Sequence, residues 1–256
     1  MNKDSVIGTF VVAGILCLAA SIVVSTAAVS LKPLQAANKV FDRKVNILQA
    51  AGLYTDKESV DEIYSKRVTA KTLDLKTGEY LTDVDPATYD PRKMANDPVE
   101  GVDIPDNLDL GKIKKRARYA VVYEITNDAG GLDQVVLPVH GKGLWSTLWG
   151  FMAVDKDANT IKGLGFYEHA ETPGLGGEID NPNWKKIWIG KKLYKNDTIT
   201  IEVIKGAVNK SSPKAEYQVD GISGATITVV GVSKLVQYWL GQEGYQKYLS
   251  KMNSSH

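Results

Sequence analysis

The sequence predicts an α+β protein, in which one N-terminal transmembrane helix is followed by a soluble domain with an antiparallel sheet flanked by helices. Three observations support this fold class. An uncharged run occupies positions 6–29, paired β-rich segments fill the middle of the chain, and helix-like periodicity marks both ends of the soluble part. Strand pairs joined by short turns, with helices before and after them, are typical of an α+β domain.

The composition is that of an ordinary folded chain and gives no indication of nucleic-acid binding. The 256 residues are 43% hydrophobic and 24% charged, with a formal net charge of +1. No block of Lys and Arg with interleaved aromatic residues is present. The single cysteine, Cys17, excludes an intrachain disulfide, and no histidine lies at ligand spacing from another. We therefore expect neither a nucleic-acid partner nor a zinc or haem site.

The run from Val6 to Val29 carries no charged side chain. As a helix it would span about 36 Å, which is enough for a hydrocarbon core of about 30 Å. A cleaved signal peptide is the alternative, but its apolar region normally extends over only about 7–15 residues. We predict a retained transmembrane helix at 6–30 after a cytoplasmic tail at 1–5. A short tail before a large domain favours translocation, so we expect the domain outside the cytoplasm.

Helices and a loop are expected next. Pro33–Gly52 has an irregular apolar face that indicates a helix continuing from the membrane, and Lys57–Lys66 indicates a second helix. Asp83–Pro105 is rich in Asp, Pro and Asn without periodicity, which is typical of a long surface loop. We therefore assign 31–110 to a helical and loop region and 111–256 to the main domain.

The middle of the chain contains two hairpin signals, each a pair of β-rich segments around a short polar turn. The paired segments are Tyr119–Thr126 with Asp133–Val139, and Leu148–Val154 with Thr160–Tyr167. Two further segments, Thr198–Ile204 and Glu216–Val219, are expected to add strands after them. These pairs supply the predicted antiparallel sheet.

A short stretch, Asp220–Thr228, separates the last predicted strand from the last long helix. Apolar side chains recur beyond it at three- and four-residue steps, which predicts an amphipathic helix: Val229, Val232, Leu235, Val236, Trp239 and Leu240. Asp220, Ser223 and Gly224 supply turn and capping chemistry. Thr226 would then lie in the first turn, where unpaired N–H groups and the helix dipole favour a phosphate. The alternative is that Ser223 and Thr226 satisfy those N–H groups themselves.

Two glycine-punctuated loops, at 138–146 and 168–177, fall between the predicted strands. Glycine permits close backbone approach, Trp145 offers a stacking face and Thr172 offers a polar contact, so these loops suit a flat aromatic ligand. The alternative is a pair of tight hairpin turns with a core tryptophan. Neither loop has the glycine pattern of a Rossmann dinucleotide site. We interpret His140, in the first loop, as a structural histidine.

Six motifs occur in a fixed order along the chain: Tyr89–Lys93, Leu137–Ser146, Glu171–Glu178, Asn181–Trp184, Trp188–Leu193 and Val219–Thr226. With the N-terminal anchor, they resemble the NqrC family of the bacterial sodium-translocating NADH:quinone reductase. The similarity extends from the anchor to Trp239–Gly241. The Ser-Gly-Ala-Thr sequence that ends at Thr226 would by itself indicate only the broader class of covalently flavinylated domains.

The resemblance implies a covalent FMN, joined through its phosphate to the hydroxyl of Thr226 by a separate flavin transferase. Thr228, two residues further on, is the rival acceptor. Asp220 would shape the turn or hold a metal that accompanies the attachment reaction. The other attachment-motif residues are Ser223, Gly224 and Ala225. The residues expected around the flavin ring are Trp145, Glu171, Thr172, Leu175 and Gly176. No catalytic residue and no resident metal site are implied.

The resemblance further implies an electron-transfer subunit of a complex in the bacterial inner membrane, with its soluble domain on the periplasmic side. Its partners would be the other subunits, and it would relay electrons from NADH toward quinone without a nicotinamide or quinone site of its own. One alternative is the equivalent FMN subunit of the ion-translocating ferredoxin:NAD oxidoreductase complex. Another is a flavin-free, membrane-anchored scaffold in which Ser223 and Thr226 merely cap a helix.

Overall fold

The computed structural model describes residues 6–254, and the chain divides between Lys44 and Val45 into two compact units. The first unit is formed by most of one long helix, α1 (Val6–Ala50). This helix is long and apolar enough, by length and composition, to cross a membrane, in agreement with the predicted span. The tail predicted at 1–5 lies outside the described residues.

Helix α1 continues without interruption past residue 30 and through Pro33, as the sequence predicts for 33–52. Within its apolar part, the hydroxyl groups of Thr26 and Ser30 donate to backbone carbonyls one turn earlier, at 2.7 and 2.6 Å. Such bonds satisfy polar side chains inside an apolar helix, where water is absent. The hydroxyls of this stretch are therefore compatible with a membrane interior.

The second unit contains short helices and many strands. In chain order they are α2 (Val60–Arg67), β1 (Val68–Asp74), β2 (Glu79–Leu81), α3 (Pro91–Met94), β3 (Gly101–Asp103), β4 (Lys115–Ala117), β5 (Tyr119–Thr126), β6 (Leu132–Lys142), β7 (Thr147–Asp155), β8 (Ile161–Glu168), α4 (Pro182–Lys186), β9 (Tyr194–Lys195), β10 (Thr198–Ile199), β11 (Glu202–Val203), β12 (Gln218–Val219), α5 (Thr226–Trp239) and α6 (Gln246–Ser254). Two 3₁₀ turns, Gly176–Asp180 and Ala215–Tyr217, precede α4 and β12.

A six-stranded sheet in the order β2-β1-β5-β6-β7-β8 forms the centre of this unit, and all its neighbouring strands are antiparallel. The two predicted hairpins are confirmed as β5–β6 and β7–β8. The amphipathic helix predicted after Thr228 is α5, which packs on β6. The α+β class with an antiparallel sheet flanked by helices is therefore confirmed.

Side chains of the sheet alternate between two buried clusters, as extended strands require. On β6, Val135, Leu137 and Val139 enter one cluster, whereas Val136 enters the other. Helices α5 and α6 complete the larger cluster, and the last turns of α1 complete the smaller one through Ile47. Each fully buried aliphatic side chain contributes roughly 1.5–3 kcal/mol. Because it is covered on both faces, the sheet is a firm support for the loops at its ends.

Helix α6 closes onto the first hairpin of the sheet. The hydroxyl groups of Tyr80, on β2, and Tyr248, on α6, are 2.7 Å apart, and Tyr80 also donates to Glu124 at 2.6 Å. Lys251 forms an ion pair with Glu79 at 2.8 Å. Burial, the neighbouring hydroxyl of Tyr248 and the hydrogen bond to Glu124 raise the pKa of Tyr80, so its proton stays available for this contact. The C-terminal helix is thus attached to an early part of the chain.

The boundary predicted at residue 110 does not separate two regions of the second unit. Strand β1 pairs with β5 along its whole length, from Val68 opposite Ile125 to Asp74 opposite Tyr119. The sheet therefore begins well before residue 111, with a strand inside the stretch 31–110 that the sequence assigns to helices and loops. The segment expected to be only a loop, Asp83–Pro105, also contains α3 and β3.

The later strands are shorter than the sequence predicts. Thr198–Ile204 is divided into β10, which pairs antiparallel with β9, and β11, which pairs parallel with β12. Glu216–Val219 begins in a 3₁₀ turn, and only its last two residues form β12. A continuous run of strand-favouring residues cannot show that neighbouring residues pair with different partners, because pairing depends on tertiary contacts.

The packing of β8 against the end of α1 gives the first prediction. A Cβ at Gly163 would lie 2.1 Å from the carbonyl oxygen of Ala50. Gly163→Ala is therefore expected to lower the free energy of unfolding by about 1–3 kcal/mol. On the same strand, a Cβ at Gly165 would have no atom within 4 Å, so Gly165→Ala is the matched control. Thermal unfolding of the full-length protein in detergent, followed by tryptophan fluorescence, measures both; equal losses would contradict the packing argument.

Candidate functional site

Helix α5 begins at Thr226, as predicted, but no side chain caps it. Its N-cap is Ala225, and Ser223 makes no capping hydrogen bond, so the capping role expected for Ser223 is wrong. Gly224, with φ of 74°, takes the left-handed conformation that turns the chain into the helix. Within the described part of the chain, no acceptor reaches the N–H groups of the first three helical residues. These N–H groups and the positive end of the helix dipole are therefore open to an anion.

The two candidate hydroxyl groups of α5 have opposite environments. Thr226 is exposed, whereas Thr228 is only 1% exposed. The hydroxyl of Thr228 donates to Oε2 of Glu171 at 2.5 Å. A Cβ at Gly176 would lie 2.6 Å from the same hydroxyl oxygen, so the backbone closes over it. Only the Thr226 hydroxyl is accessible to a bulky group.

Glu171 is the buried centre of the site, with 5% of its surface exposed. Its Oε1 accepts from the backbone N–H groups of Trp145 at 2.9 Å and Ser146 at 3.4 Å. Its Oε2 accepts from the N–H of Leu144 at 3.3 Å and from Thr228. The carboxylate thus joins the loop between β6 and β7 to the first turn of α5.

The hydrogen bonds of Glu171 explain its protonation state. Burial would raise the pKa of this carboxyl group, but the hydrogen bonds from the Thr228 hydroxyl and from three backbone N–H groups hold it below its usual range. Glu171 is therefore ionised at neutral pH. Both of its oxygens accept hydrogen bonds from within the protein, so the charged carboxylate holds the loop between β6 and β7 in place.

Glycines allow the close packing around this carboxylate. A Cβ at Gly143 would lie 2.6 Å from Oε1 of Glu171, and a Cβ at Gly176 would lie 2.7 Å from Oε2. A Cβ at Gly231, on α5, would lie 2.4 Å from the carbonyl oxygen of Lys142. The sequence predicts that glycines in the loops allow the backbone to approach a ligand closely. In the structure, these glycines allow segments of the protein to approach each other closely.

The remaining predicted ring residues lie on the surface around the start of α5. Trp145 is 65% exposed, which excludes the alternative that it is a core tryptophan. Thr172 is also exposed, and Leu175 is 46% exposed. The Cδ2 atom of Leu175 would lie 2.9 Å from a Cβ at Gly224, so this side chain adjoins the turn before the helix. The structure therefore brings the two predicted loops and the Asp220–Thr226 stretch to one place.

Asp220 organises the turn that leads to the helix. Its Oδ1 accepts from the N–H of Val208 at 2.8 Å, and its carbonyl oxygen accepts from Nε1 of Trp184 at 2.8 Å. Of its two expected roles, this geometry supports the shaping of the turn. No group of three or more metal-ligating side chains is found among residues 6–254.

Two contacts at the site have no signal in the sequence. Trp184 holds the backbone of Asp220, and the link between Glu171 and Thr228 fixes the helix to the second loop. No local pattern could reveal these contacts, because the paired residues lie 36 and 57 positions apart in the chain.

His140 packs against aromatic side chains, in agreement with its interpretation from the sequence as a structural histidine. Its ring stacks on Trp149 at 4.2 Å, and the guanidinium of Arg92 lies 3.6 Å from the centre of a Trp149 ring. Burial, together with the charge of Arg92, lowers the pKa of His140 to about 3. The ring is therefore neutral at physiological pH and contributes to the stack. Arg92, from the Tyr89–Lys93 motif, covers this stack and pairs with Glu168 at 2.8 Å.

Known proteins share this architecture. Residues 143–241 match the family model of the FMN-binding domain. This segment contains the end of the first loop, the whole second loop, the turn and all of α5. The chain is 46% identical over 256 residues to the NqrC subunit of the Na(+)-translocating NADH-quinone reductase of Pseudomonas aeruginosa, with 98% of this chain and 97% of that protein covered. The chain belongs to the NqrC family.

Other members of the NqrC family agree with this assignment. The Haemophilus ducreyi member is 46% identical over 255 residues, covering 99% of this chain and 97% of that protein. The crystal structure of Shewanella oneidensis NqrC superimposes with a TM-score of 0.79 at 34% identity, covering 85% of this chain and 99% of that chain. The resemblance inferred from the six motifs is confirmed.

The Glu171 carboxylate gives the second prediction. In Glu171→Gln, an amide NH₂ replaces one acceptor oxygen, so at least one bond from the loop or from Thr228 is lost. The free energy of unfolding is expected to fall by about 1–3 kcal/mol near neutral pH. The pKa of Glu171 is lower in the folded protein than the ordinary glutamate pKa of 4.5. The stabilisation is therefore fully present above pH 4.5 and is lost as the pH falls through the pKa of the folded state.

Urea unfolding of full-length protein from neutral to acidic pH measures this effect. The stability difference between wild type and Glu171→Gln should be constant at neutral pH and shrink on acidification below about pH 4.5. Glu168→Gln is the matched control, since Glu168 lies three residues away in a surface ion pair with Arg92. Such pairs contribute about 0–1 kcal/mol. Wild-type stability in Glu171→Gln at neutral pH would refute the bracing role.

Proposed function

We propose that this chain carries one FMN, esterified through its phosphate to the hydroxyl of Thr226, and transfers electrons within an Na(+)-translocating NADH-quinone reductase. One observation carries the choice of residue. The hydroxyl of Thr226 is exposed at an uncapped helix start, whereas that of Thr228 is buried and bonded to Glu171. The Pseudomonas aeruginosa relative carries the name of a subunit of this enzyme, which supports the assignment to the complex.

The residues present fit a phosphate at this position. Three N–H groups at the start of α5 have no acceptor within residues 6–254, and a phosphate beside the Thr226 hydroxyl would accept from them. Gly224, Ala225 and Ser223 form the turn before these N–H groups without covering them. Such an ester would hold the cofactor without any need for equilibrium affinity.

The surrounding loops fit the flavin ring. Trp145 and Leu175 expose apolar side chains beside the start of α5, and Thr172 adds an exposed hydroxyl. Gly176 and Glu171 lie behind them and fix the loops. FMN supplies one-electron and two-electron transfer when bound. The protein's part is to position the ring near its surface, where another protein of the complex can approach.

The rest of the chain determines where this transfer takes place. Helix α1 would anchor the chain as a single-pass protein in the bacterial inner membrane, with the second unit on the periplasmic side. The other subunits of the complex are its partners, and a flavin transferase is required for maturation. The Pseudomonas aeruginosa and Haemophilus ducreyi relatives are both named for the NADH-quinone reductase, which disfavours the ferredoxin:NAD complex. The uncapped start of α5 disfavours the flavin-free scaffold.

The mass of the denatured protein tests the ester. The full-length chain, expressed with a flavin transferase, is expected to gain the mass of one FMN less one water and to stay fluorescent after acid precipitation. Thr226→Val should abolish the adduct, because no oxygen is left to esterify, and Thr226→Ser should retain it. Thr228→Ser, which keeps the buried hydroxyl, should be fully modified.

Peptide mapping then locates the modification. An adduct on Thr228, or a Thr226→Val protein that remains flavinylated, would overturn the proposal. A colourless wild-type protein of unmodified mass, produced with an active transferase, would favour the scaffold. Circular dichroism of Thr226→Val shows whether the variant is folded.

A further inference from the structure

His169 is held by hydrogen bonds on both ring nitrogens beside the site, and neither the six motifs nor the proposed ring contacts explain it. It follows β8 directly, and its side chain is 13% exposed. Its Nε2 atom lies 2.6 Å from Oδ2 of Asp180, at the end of the 3₁₀ turn Gly176–Asp180. The other oxygen of Asp180 lies 3.3 Å from the ammonium group of Lys185, on α4.

The second ring nitrogen determines the tautomer of His169. The backbone N–H of Glu171 is directed at Nδ1, at 3.2 Å. Because a backbone N–H can only donate, Nδ1 must accept and carries no proton. The ring proton of the neutral form is then on Nε2, where it is donated to Asp180. If the ring also carried a proton on Nδ1, two donors, this N–H and the backbone N–H of Glu171, would face each other.

The backbone that His169 holds belongs to the residue whose carboxylate braces the site. Glu171 uses that carboxylate to bind the N–H of Trp145 and its neighbours. Between the two, the N–H of Ala170 donates to Oγ of Ser146 at 2.8 Å. Three consecutive residues, 169–171, therefore connect α4 and the 3₁₀ turn to the loop that presents Trp145.

We propose that neutral His169, with its proton on Nε2, is a positioning residue that sets the backbone of Glu171 and thereby the position of Trp145. The control it exerts on a flavin ring rests on the proposed function; the control of Trp145 does not. On its other side the ring contacts Asp180, which also pairs with Lys185.

Two substitutions separate the two contacts of the ring. In His169→Asn, Oδ1 stands where Nδ1 was and can accept from the N–H two residues later, as in an Asx-turn, but the side chain is too short for Asp180. In His169→Gln, the amide can extend toward Asp180 but leaves no acceptor at the δ position. Asn is therefore expected to rescue the position of Trp145, and Gln is not.

Fluorine NMR of the full-length, flavin-free protein in detergent monitors the environment of Trp145. The chain has five tryptophans, and with 5-fluorotryptophan labelling the Trp145 signal is assigned by its loss in Trp145→Phe. We expect this signal to be displaced in His169→Gln and to keep its wild-type position in His169→Asn, while the signal of Trp239, remote from these contacts on α5, stays unchanged in both. An unmoved Trp145 signal in His169→Gln, or equal displacement in both variants, would overturn the proposal.

His169→Asn keeps the proposal testable if His169→Gln fails to fold. Asn can accept from the N–H of Glu171 but cannot reach Asp180, so the Trp145 signal should stay at its wild-type position in this variant. A displaced Trp145 signal in His169→Asn would overturn the proposal.

The effect of His169 on the flavin is measured in a separate experiment. In protein matured by the transferase, His169→Gln is expected to change the flavin fluorescence and midpoint potential, and His169→Asn to restore both toward wild type. If Trp145 responds as described while no flavin attaches to the wild type, the positioning role stands and the proposed function fails. If flavin attaches but Trp145 does not respond, the positioning role fails and the proposed function stands.

Discussion

A buried negative charge holds the site together. The carboxylate of Glu171 is largely shielded from water and is stabilised by three backbone N–H groups and the hydroxyl of Thr228. A buried carboxylate that lost these donors would be strongly destabilising, since an unpaired charge in a low-dielectric interior is costly. The loop after β6 and the first turn of α5 therefore cannot separate from Glu171 without a large penalty. The surface they form together is fixed before any ligand arrives.

The same interaction explains why the helix start stays open. An acid near a helix N-terminus commonly accepts from the first-turn N–H groups. Glu171 instead bonds the side chain of Thr228 and the neighbouring loop, which leaves the first three N–H groups of α5 without an acceptor within residues 6–254. The protein thus stabilises the position of the helix through its second hydroxyl, while the first hydroxyl and the dipole remain available to an anion.

Features encoded by neighbouring residues could be predicted from the sequence, and features that depend on distant pairing could not. The β5–β6 and β7–β8 hairpins have local turn signals, and α5 has helical periodicity from Val229 onward. Strand β1 was missed because Val68–Asp74 includes Lys71 and Asp74, which are uncommon in strands, and because its partner β5 lies about 50 residues later in the chain. The bracing role of Glu171 has no local signal either, since its donors lie 25 to 57 residues away. Ser223 has the chemistry of a cap, but the left-handed Gly224 places Ala225 at that position.

The contact between Tyr80 and Tyr248 has a consequence for biosynthesis. These two hydroxyl groups are 168 positions apart, yet they join the first hairpin of the sheet to the last helix. A nascent chain can pair β1 with β2 early, but the face on which α6 packs stays bare until Gln246–Ser254 has left the ribosome. An enzyme that recognises the finished surface around α5 would therefore encounter its substrate only after α6 has emerged and packed.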